Sequence, residues 1–386
     1  MELLARMFAP NMPEESVRII EVKTKKELYD FIKFPFSLYP RDSFYSPQLI
    51  RDQLIHFSHA NPFFKHSEIK FFLAFKGTKA VGRISTIINY RHLDFHKDDA
   101  GFFGFFESIN DEAVSFKLLG AASDMLKKRN LKIIRGPMNF STNEDCGFLI
   151  DGYDIPPMIM TPYNPPYYND LMESYGMRKA KDLYAFIYNN KDELPEKVNR
   201  ISAIAEKSGI TTRALDKKNF IFDMLAFREI YNSAWENNWG FIPLSEDELF
   251  YSAKKLKQVM VPEFTILAFD GEEPIGFLGA IPDYNFVLRH MRGRLNPLTI
   301  AKAFYYSKKI DSLRLLLLGV KKEFRNKGVD ALMFKEGDKN RKNTKFQQYK
   351  KIEFSWILED NIPVIRLAEI FDAKPYKRYR IYEKLL

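Results

Sequence analysis

Two ten-residue stretches constrain this chain more than any other feature. Residues 73–82 read LAFKGTKAVG and residues 267–276 read LAFDGEEPIG, identical at five of ten positions, with Val81 matched by Ile275. The offset is 194 in a chain of 386 residues, so the segment recurs at the same place in each half. Apolar residues flanking a glycine turn predict a strand–turn–strand hairpin used twice, with Gly77 and Gly271 in the turns. At the same offset Ile187-Tyr188 falls on Ile381-Tyr382, closing each half with a similar strand. Self-similarity at this period is the mark of a duplicated unit.

Apolar spacing gives both halves one element order. The first half is expected to hold a strand at 17–22, helices near 25–33 and 46–57, and the hairpin through 69–88. A strand at 101–106, a helix at 111–129, a strand at 131–135, a helix at 165–175 and a strand at 182–189 follow. In the second half the series is a strand at 210–215, helices at 219–236 and 245–258, the hairpin at 263–282 and a strand at 312–320. It ends with a helix at 328–340, a strand at 351–358, a helix at 361–371 and a strand at 376–384. The polar stretch Asn189–Lys197 reads as the linker, with Pro195 opening the next helix, so the expected domains are 1–195 and 196–386.

With 46% hydrophobic residues the chain can bury two cores, and its apolar runs fall short of the ~20 residues of a membrane span. The start, MELLARMFAP, is too short for a signal-peptide core, so a cytoplasmic protein is expected. One cysteine, Cys146, and six scattered histidines give neither a disulfide nor zinc-type spacing, and no metal is expected. Residues 313–386 hold 18 Lys/Arg against 10 Asp/Glu, a basic end suited to an anionic partner or simply a basic surface.

The second half contains LRLLLLGVKKEFRNKGVDALMFKEG and then EFSWILEDNIPVIRLAEIFDAKPYKRYRIYEK. It resembles a GNAT (Gcn5-related) acyl-CoA N-acyltransferase domain. The family's signature is a strand, an Arg/Gln-x-x-Gly-x-Gly/Ala turn and a helix, matched here by Arg325-Asn326-Lys327-Gly328-Val329-Asp330. Backbone N–H groups opening a helix form an anion cradle, which suits the pyrophosphate of coenzyme A. Gly328 lets the backbone approach without a Cβ, and Arg325 and Lys327 add cationic donors. The resemblance also implies that Leu318, Gly319 and Val320 hold the thioester, and that Asn361, an N-cap in its own right, borders the pantetheine arm. Glu353 and Glu359 are the nearest acidic candidates for taking the amine proton. The implied fold is α/β with a mixed α+β sheet, two tandem GNAT-like domains, and acyl-CoA as donor.

The sequence departs from the family pattern in three ways. Asp330 stands where Gly or Ala is preferred and sets a carboxylate near the expected pyrophosphate. Ala368 stands where a Tyr often acts as general acid, and Asp372-Ala373 replaces the frequent Gly-Phe pair. Tyr376, Tyr379 and Tyr382 remain as phenols or as strand aromatics. The first half lacks the cradle, since its corresponding helix opens with Asp111 and Glu112.

Acceptor-side candidates come from two places. The run YNSAWENNW supplies Trp235, Asn237, Asn238 and Trp239, which read equally as a helix C-terminus with Asn caps. The polar segment Asn139–Gly147 supplies Asn143 and Glu144, and the proline-stiffened loop after it supplies Tyr163; this region reads as a pocket wall, an interface or an exposed turn. Cys146 beside Glu144 and Asp145 is expected to have a raised pKa, which argues against a nucleophile.

Residues 284–311 have no place in a minimal GNAT domain. From Tyr284 to Ile310 there is no acidic residue, while Arg289, Arg292, Arg294, Lys302, Lys308 and Lys309 alternate with aromatic and aliphatic side chains. That mixture suits an interfacial helix on anionic lipid, an entrance for a long-chain acceptor, or a helix packed on the domain. Over its length, including NEDCGFLIDGYDIPPM, the chain most resembles bacterial tandem-GNAT proteins of the sphingolipid N-acyltransferase type. The expected activity is therefore acyl transfer from a thioester to a small-molecule or lipid amine. The alternatives are an aminoacyl transferase using aminoacyl-tRNA, with RNA along the acid-free run Lys339–Lys351 although nucleic acid is not the favoured partner, and a non-catalytic acyl-CoA or lipid binder.

Overall fold

The structure is a computed structural model that describes residues 16–189 and 193–386; the chain start and part of the expected linker lie outside the described residues. The first half contains β1 (Val17–Glu21), α1 (Lys25–Leu38), α2 (Ile50–His56), β2 (Ser67–Lys76), β3 (Lys79–Asn89), α3 (Tyr90–His96), β4 (Ala100–Ser108), α4 (Glu112–Lys128), β5 (Ile133–Gly136), β6 (Phe148–Asp151), α5 (Tyr167–Ser174) and β7 (Arg178–Asn189). The second contains α6 (Glu196–Lys207), β8 (Ile210–Ala214), α7 (Phe220–Ala234), α8 (Glu246–Leu256), β9 (Thr265–Asp270), β10 (Glu273–Pro282), α9 (Asn285–Met291) and α10 (Pro297–Ser307). It closes with β11 (Ser312–Val320), α11 (Val329–Arg341), β12 (Lys351–Leu358), α12 (Ile362–Ile370) and β13 (Lys374–Leu385).

The repeat is structural as well as sequential. Ala74 faces Gly82 in the first hairpin and Ala268 faces Gly276 in the second, and in both the register shifts beside that pair. Gly77 and Gly271 turn the two hairpins at φ of 55° and 58°. A Cβ on Gly82 would sit 2.6 Å from Leu118 of α4, and one on Gly276 would sit 2.9 Å from Val329 of α11. The repeated glycine thus lets the following helix of each half pack close on its hairpin.

All described strands join one mixed sheet in the order β1-β2-β3-β4-β5-β13-β7-β12-β11-β10-β9-β8, with β6 also on β13. The closing strands are exchanged. β13, the last strand of the second half, pairs with β5 of the first, and β7, the last of the first half, pairs with β12 of the second. β7 and β13 then pair antiparallel to each other and form the seam. Apolar cores lie under both halves, and a third, containing Phe31, Phe57, Phe140, Leu183 and Tyr379, bridges them.

Candidate active site

In each half, two parallel strands pair briefly and then part. β4 and β5 pair only through Ala100–Phe102 and Ile133–Arg135, and β11 and β12 only through Ser312–Leu315 and Lys351–Phe354. The two wedges differ in what enters them. In the first, the chain after β5 returns at once: Met138 N–H donates to the Phe103 carbonyl at 2.7 Å, and Asn139 Oδ1 accepts from Phe105 N–H at 2.7 Å. Even a Cβ on Gly104 would fall 1.9 Å from the Met138 carbonyl oxygen. The helix beyond is closed by its own anion, because Asp111 caps Val114 N–H and binds Lys76 at 2.6 Å.

The second half is built differently at the corresponding place. Past Leu315 the edge of β11 has no ladder to β12, and Leu318, Gly319 and Val320 lie on that stretch. Gly328 is left-handed at φ 80° and starts α11 without a side-chain cap. Arg325, Asn326 and Lys327 before it are exposed, while Val329 is buried in the core. Arg325 is partly committed, donating to the Ala234 carbonyl at 2.7 Å. Asp330 Oδ1 accepts from Ala331 N–H at 2.9 Å, so the departure seen in sequence occupies one of the N–H groups that open α11. Asn361 starts α12 without a side-chain cap hydrogen bond. Trp356 Nε1–H, on the parting strand β12, is buried without a partner among the described residues. An orphaned donor beside a freed strand edge fits the amide-rich arm of coenzyme A.

A buried ionic cluster sits at the base of this wedge. Glu353 is fully buried, accepts from Ser355 Oγ at 2.5 Å and from the Tyr376 hydroxyl, and lies 3.4 Å from Arg314. Arg314 in turn donates to the Ile159 and Met160 carbonyls at 2.6 and 2.7 Å, pinning first-half backbone beneath second-half strands. Both Glu353 oxygens are engaged. Glu359, six residues on and so about 20 Å along the strand, forms a surface pair with Lys179 at 2.6 Å. Burial and the Glu353 charge push the Tyr376 phenol well up, and the Tyr382 hydroxyl donates to Asn169 at 3.0 Å.

The predicted acceptor residues converge only in part. Trp235 packs against β11: a Cβ on Gly319 would be 2.3 Å from its ring, and Tyr231 stacks behind it at 4.9 Å. The Tyr231 hydroxyl donates to Asn143 Oδ1 at 2.5 Å, and Thr142 donates to the Gly240 carbonyl at 2.7 Å. Asn143 therefore meets the ring stacked behind Trp235, on a first-half loop held to a second-half helix end. Asn237 is exposed and contacts Glu236, the Asn238 N–H closes a turn on Trp235, and Trp239 packs under Arg135. Tyr163 lines a separate cavity of about 60 Å³ with Arg83, Glu107, Asp145, Cys146 and Tyr168. There burial raises the Glu107 carboxyl, which Tyr39 and Tyr168 hydrogen-bond, and burial likewise lifts the Cys146 thiol.

Three residues beside Glu144 carry no local sequence signal. His56 Nδ1 faces Lys255 Nζ at 3.0 Å and Asn61 Nδ2 at 3.3 Å, so two donors make that nitrogen the acceptor and leave the proton on Nε2. His56 Nε2 then points at Glu144, 3.9 Å away. Burial, aided by Lys255, holds His56 neutral with its pKa pushed down to about 3. Burial pushes the Glu144 carboxyl up to about 7, against the pull of Lys255 and with help from Asp145 and Glu248. A carboxyl raised toward neutrality and faced by a neutral imidazole has the protonation behaviour a general base needs.

Among the described residues no group of three or more His, Cys, Asp or Glu is placed to hold a metal, and no helix is long and apolar enough to cross a membrane.

The fold defined by these two wedges in one sheet is the tandem GNAT N-acetyltransferase fold. A tandem GNAT protein from the clavulanic acid biosynthesis pathway superposes with a TM-score of 0.55 at 11% identity, over 96% of this chain and 98% of that one. The chain belongs to the family that includes the bacterial ceramide synthase of Caulobacter vibrioides and protein YghO of Escherichia coli K12. It is 34% identical to the first over 379 residues, 95% of this chain and 97% of the other, and 33% identical to the second over 369 residues, 93% of each. No family model matches the chain.

Proposed function

We propose that the protein transfers an acyl group from acyl-CoA to the amine of a long-chain, sphingoid-like acceptor. The observation that supports this is the asymmetry of the wedges: the first is filled by its own chain, and the loop that fills it joins Asn143 to Tyr231, the ring stacked on the Trp235 that packs against Gly319 of the second. The name of the Caulobacter relative supports the acceptor class. In this reading the boundary lies near residue 195, with 1–195 furnishing acceptor walls and 196–386 the donor side.

Acyl-CoA supplies the activated thioester. The start of α11, with Arg325, Asn326, Lys327, Gly328, Val329 and Asp330, faces its pyrophosphate; Leu318–Val320 position the carbonyl, and Asn361 borders the arm. Trp235 shields the apolar side, while Asn143, Asn237, Asn238, Trp239 and Tyr163 line the approach of the acceptor. The amine forms the new C–N bond as the C–S bond breaks, and its surplus proton passes to Glu144, which His56 orients. Glu353 acts as a positioning residue, since it anchors Arg314 and both its oxygens are occupied; Glu359 stays at the rim.

The test is incubation with acyl-CoA of graded chain length and a sphingoid base, reading free thiol and the amide product by mass spectrometry. Amide formation, lowered by two or more orders of magnitude in Glu144→Gln, is expected. Tight acyl-CoA binding with no amide from any long-chain amine would overturn the reading in favour of a non-catalytic binder.

A further inference from the structure

The acid-free segment folds as α9 and α10, and α10 is inverted relative to an ordinary surface helix. Of its residues only Thr299 is buried, whereas Leu298 and Phe304 are each 66% exposed, Tyr305 56% and Ile300 53%; Leu295, just before it, is 45% exposed. An amphipathic helix on a globular protein turns its apolar stripe to the core. Here the apolar stripe faces out.

This outward face is built to be presented rigidly. Asn296 and Thr299 cap the helix reciprocally, with Pro297 in its first turn. Tyr306, on the inner side, stacks on His290 of α9 at 3.6 Å. α9 is fixed in turn: Asn285 donates to the Met158 carbonyl at 2.7 Å, and Ile50 N–H donates to the Gly293 carbonyl at 3.0 Å. The apolar surface is therefore not the by-product of a loose segment.

Five exposed cations surround it, Arg292, Arg294, Lys302, Lys308 and Lys309, with no carboxylate between Tyr284 and Ile310. The ammonium groups of Lys308 and Lys309 lie 4.4 and 4.3 Å from the ring centres of Phe304 and Tyr305. Lysine stems laid along exposed aromatics leave the charge at the level where apolar and polar phases meet. The helix has 11 residues, about 16 Å, too short to span a bilayer but able to lie along its surface.

We propose that α10 docks the protein in the plane of an anionic lipid bilayer, with Leu298, Phe304 and Tyr305 inserted and the lysines among the phosphates. Charge complementarity selects this occupant. A second copy on the same face would oppose cation to cation, and a nucleic acid would leave Leu298 and Ile300 facing a polyanion without gain. The inference stands without the acyl-transfer reading, because vesicle binding is measured with neither donor nor acceptor present.

The full chain is floated with phosphatidylcholine vesicles and with vesicles containing 30% phosphatidylglycerol, at low and high salt. Binding is expected on the anionic vesicles and should weaken with salt. Lys302→Gln, Lys308→Gln and Lys309→Gln together should weaken it about a hundredfold, at about fivefold per lysine. Leu298→Ser with Phe304→Ser should abolish it, and thermal unfolding should be unaltered in both variants because every substituted side chain is exposed. An environment-sensitive dye on Leu298→Cys should shift to the blue on anionic vesicles; Cys146 is buried and so not labelled. Equal flotation with neutral vesicles, variants that bind like the parent, or a dimer in light scattering that Leu298→Ser with Phe304→Ser dissolves would each overturn the proposal.

Discussion

Asp330 is the sharpest test of the donor cradle, because the structure shows what its carboxylate does. It lies in the first turn of α11 and takes up Ala331 N–H at 2.9 Å. Asp330→Ala releases that donor and removes a negative charge from the place assigned to a pyrophosphate. A released N–H that turns to a charged oxygen contributes about 1.5 kcal/mol, and removing a nearby like charge at the surface about 1 kcal/mol. Together these predict roughly 10- to 100-fold tighter binding of coenzyme A, more at 50 mM salt than at 300 mM. Asp330→Asn keeps an acceptor for Ala331 and should show only the electrostatic part. The helix loses an acidic residue from its first turn, about 0.3–1 kcal/mol, so the melting temperature should fall by only a few degrees. Titration calorimetry with coenzyme A at both salt concentrations, beside thermal unfolding, is the assay. Unchanged or weaker binding in Asp330→Ala, with the protein folded, would refute the cradle. Gly328→Asp is a poorer probe: at φ 80° its Cβ would meet the Ile201 carbonyl oxygen at 2.6 Å, so a folding defect would mask any effect on binding.

Three further outcomes follow from the geometry. With its pKa raised from 4.5 to about 7, Glu144 keeps a proton in the folded state that the unfolded chain has lost. Its contribution therefore makes stability fall as pH rises from about 4.5 to 7 and stay level above; Glu144→Gln should melt higher than the parent at pH 8 and equally near pH 4.5, and should remove the acid limb of the kcat/KM profile. Gly319→Ala forces a methyl group into the Trp235 ring, at about 1–3 kcal/mol, and Trp235→Phe in the same chain should restore much of the lost melting temperature. Glu353→Gln leaves Arg314 buried against a neutral partner, so its main effect should be a melting temperature lower by several degrees; a loss of turnover with unaltered melting would assign Glu353 to proton transfer instead.

Much of the fold was legible in the sequence because its signals are local. The hairpins follow from strand spacing around Gly77 and Gly271, and the expected strand at 312–320 and helix at 328–340 match β11 and α11 to within a residue. The first helix runs on to Leu38, beyond the expected 33, because Pro35 is accommodated within it near its end. α3 and the short β6 were not expected: α3 starts on an Asn89 cap, and β6 is four residues held by β13, too short to show a period. The exchange of β7 and β13 left no mark in periodicity, since a strand's spacing records which face is buried and not which strand lies beside it. The same limit applies to the site. Gly319 and the α11 start were visible as a motif, but His56 and Lys255 are 199 residues apart and meet only through the tertiary fold.

Exchange of the closing strands ties the two halves of the duplicated chain into one sheet. With β13 between β5 and β7, Tyr379 packs in the core that bridges the halves, and Arg314 reaches the Ile159 and Met160 carbonyls. The loop that plugs the first wedge is thereby set against α7 and α8, where Tyr231 holds Asn143 and Lys255 faces His56. One segment thus makes two sets of contacts: Met138 and Asn139 close the first wedge on Phe103 and Phe105, and Thr142 and Asn143 bind Gly240 and Tyr231 of the second half. Withdrawing this loop from the first wedge would also break its hydrogen bonds to the second half, so under the proposed function the two halves do not act as independent transferases.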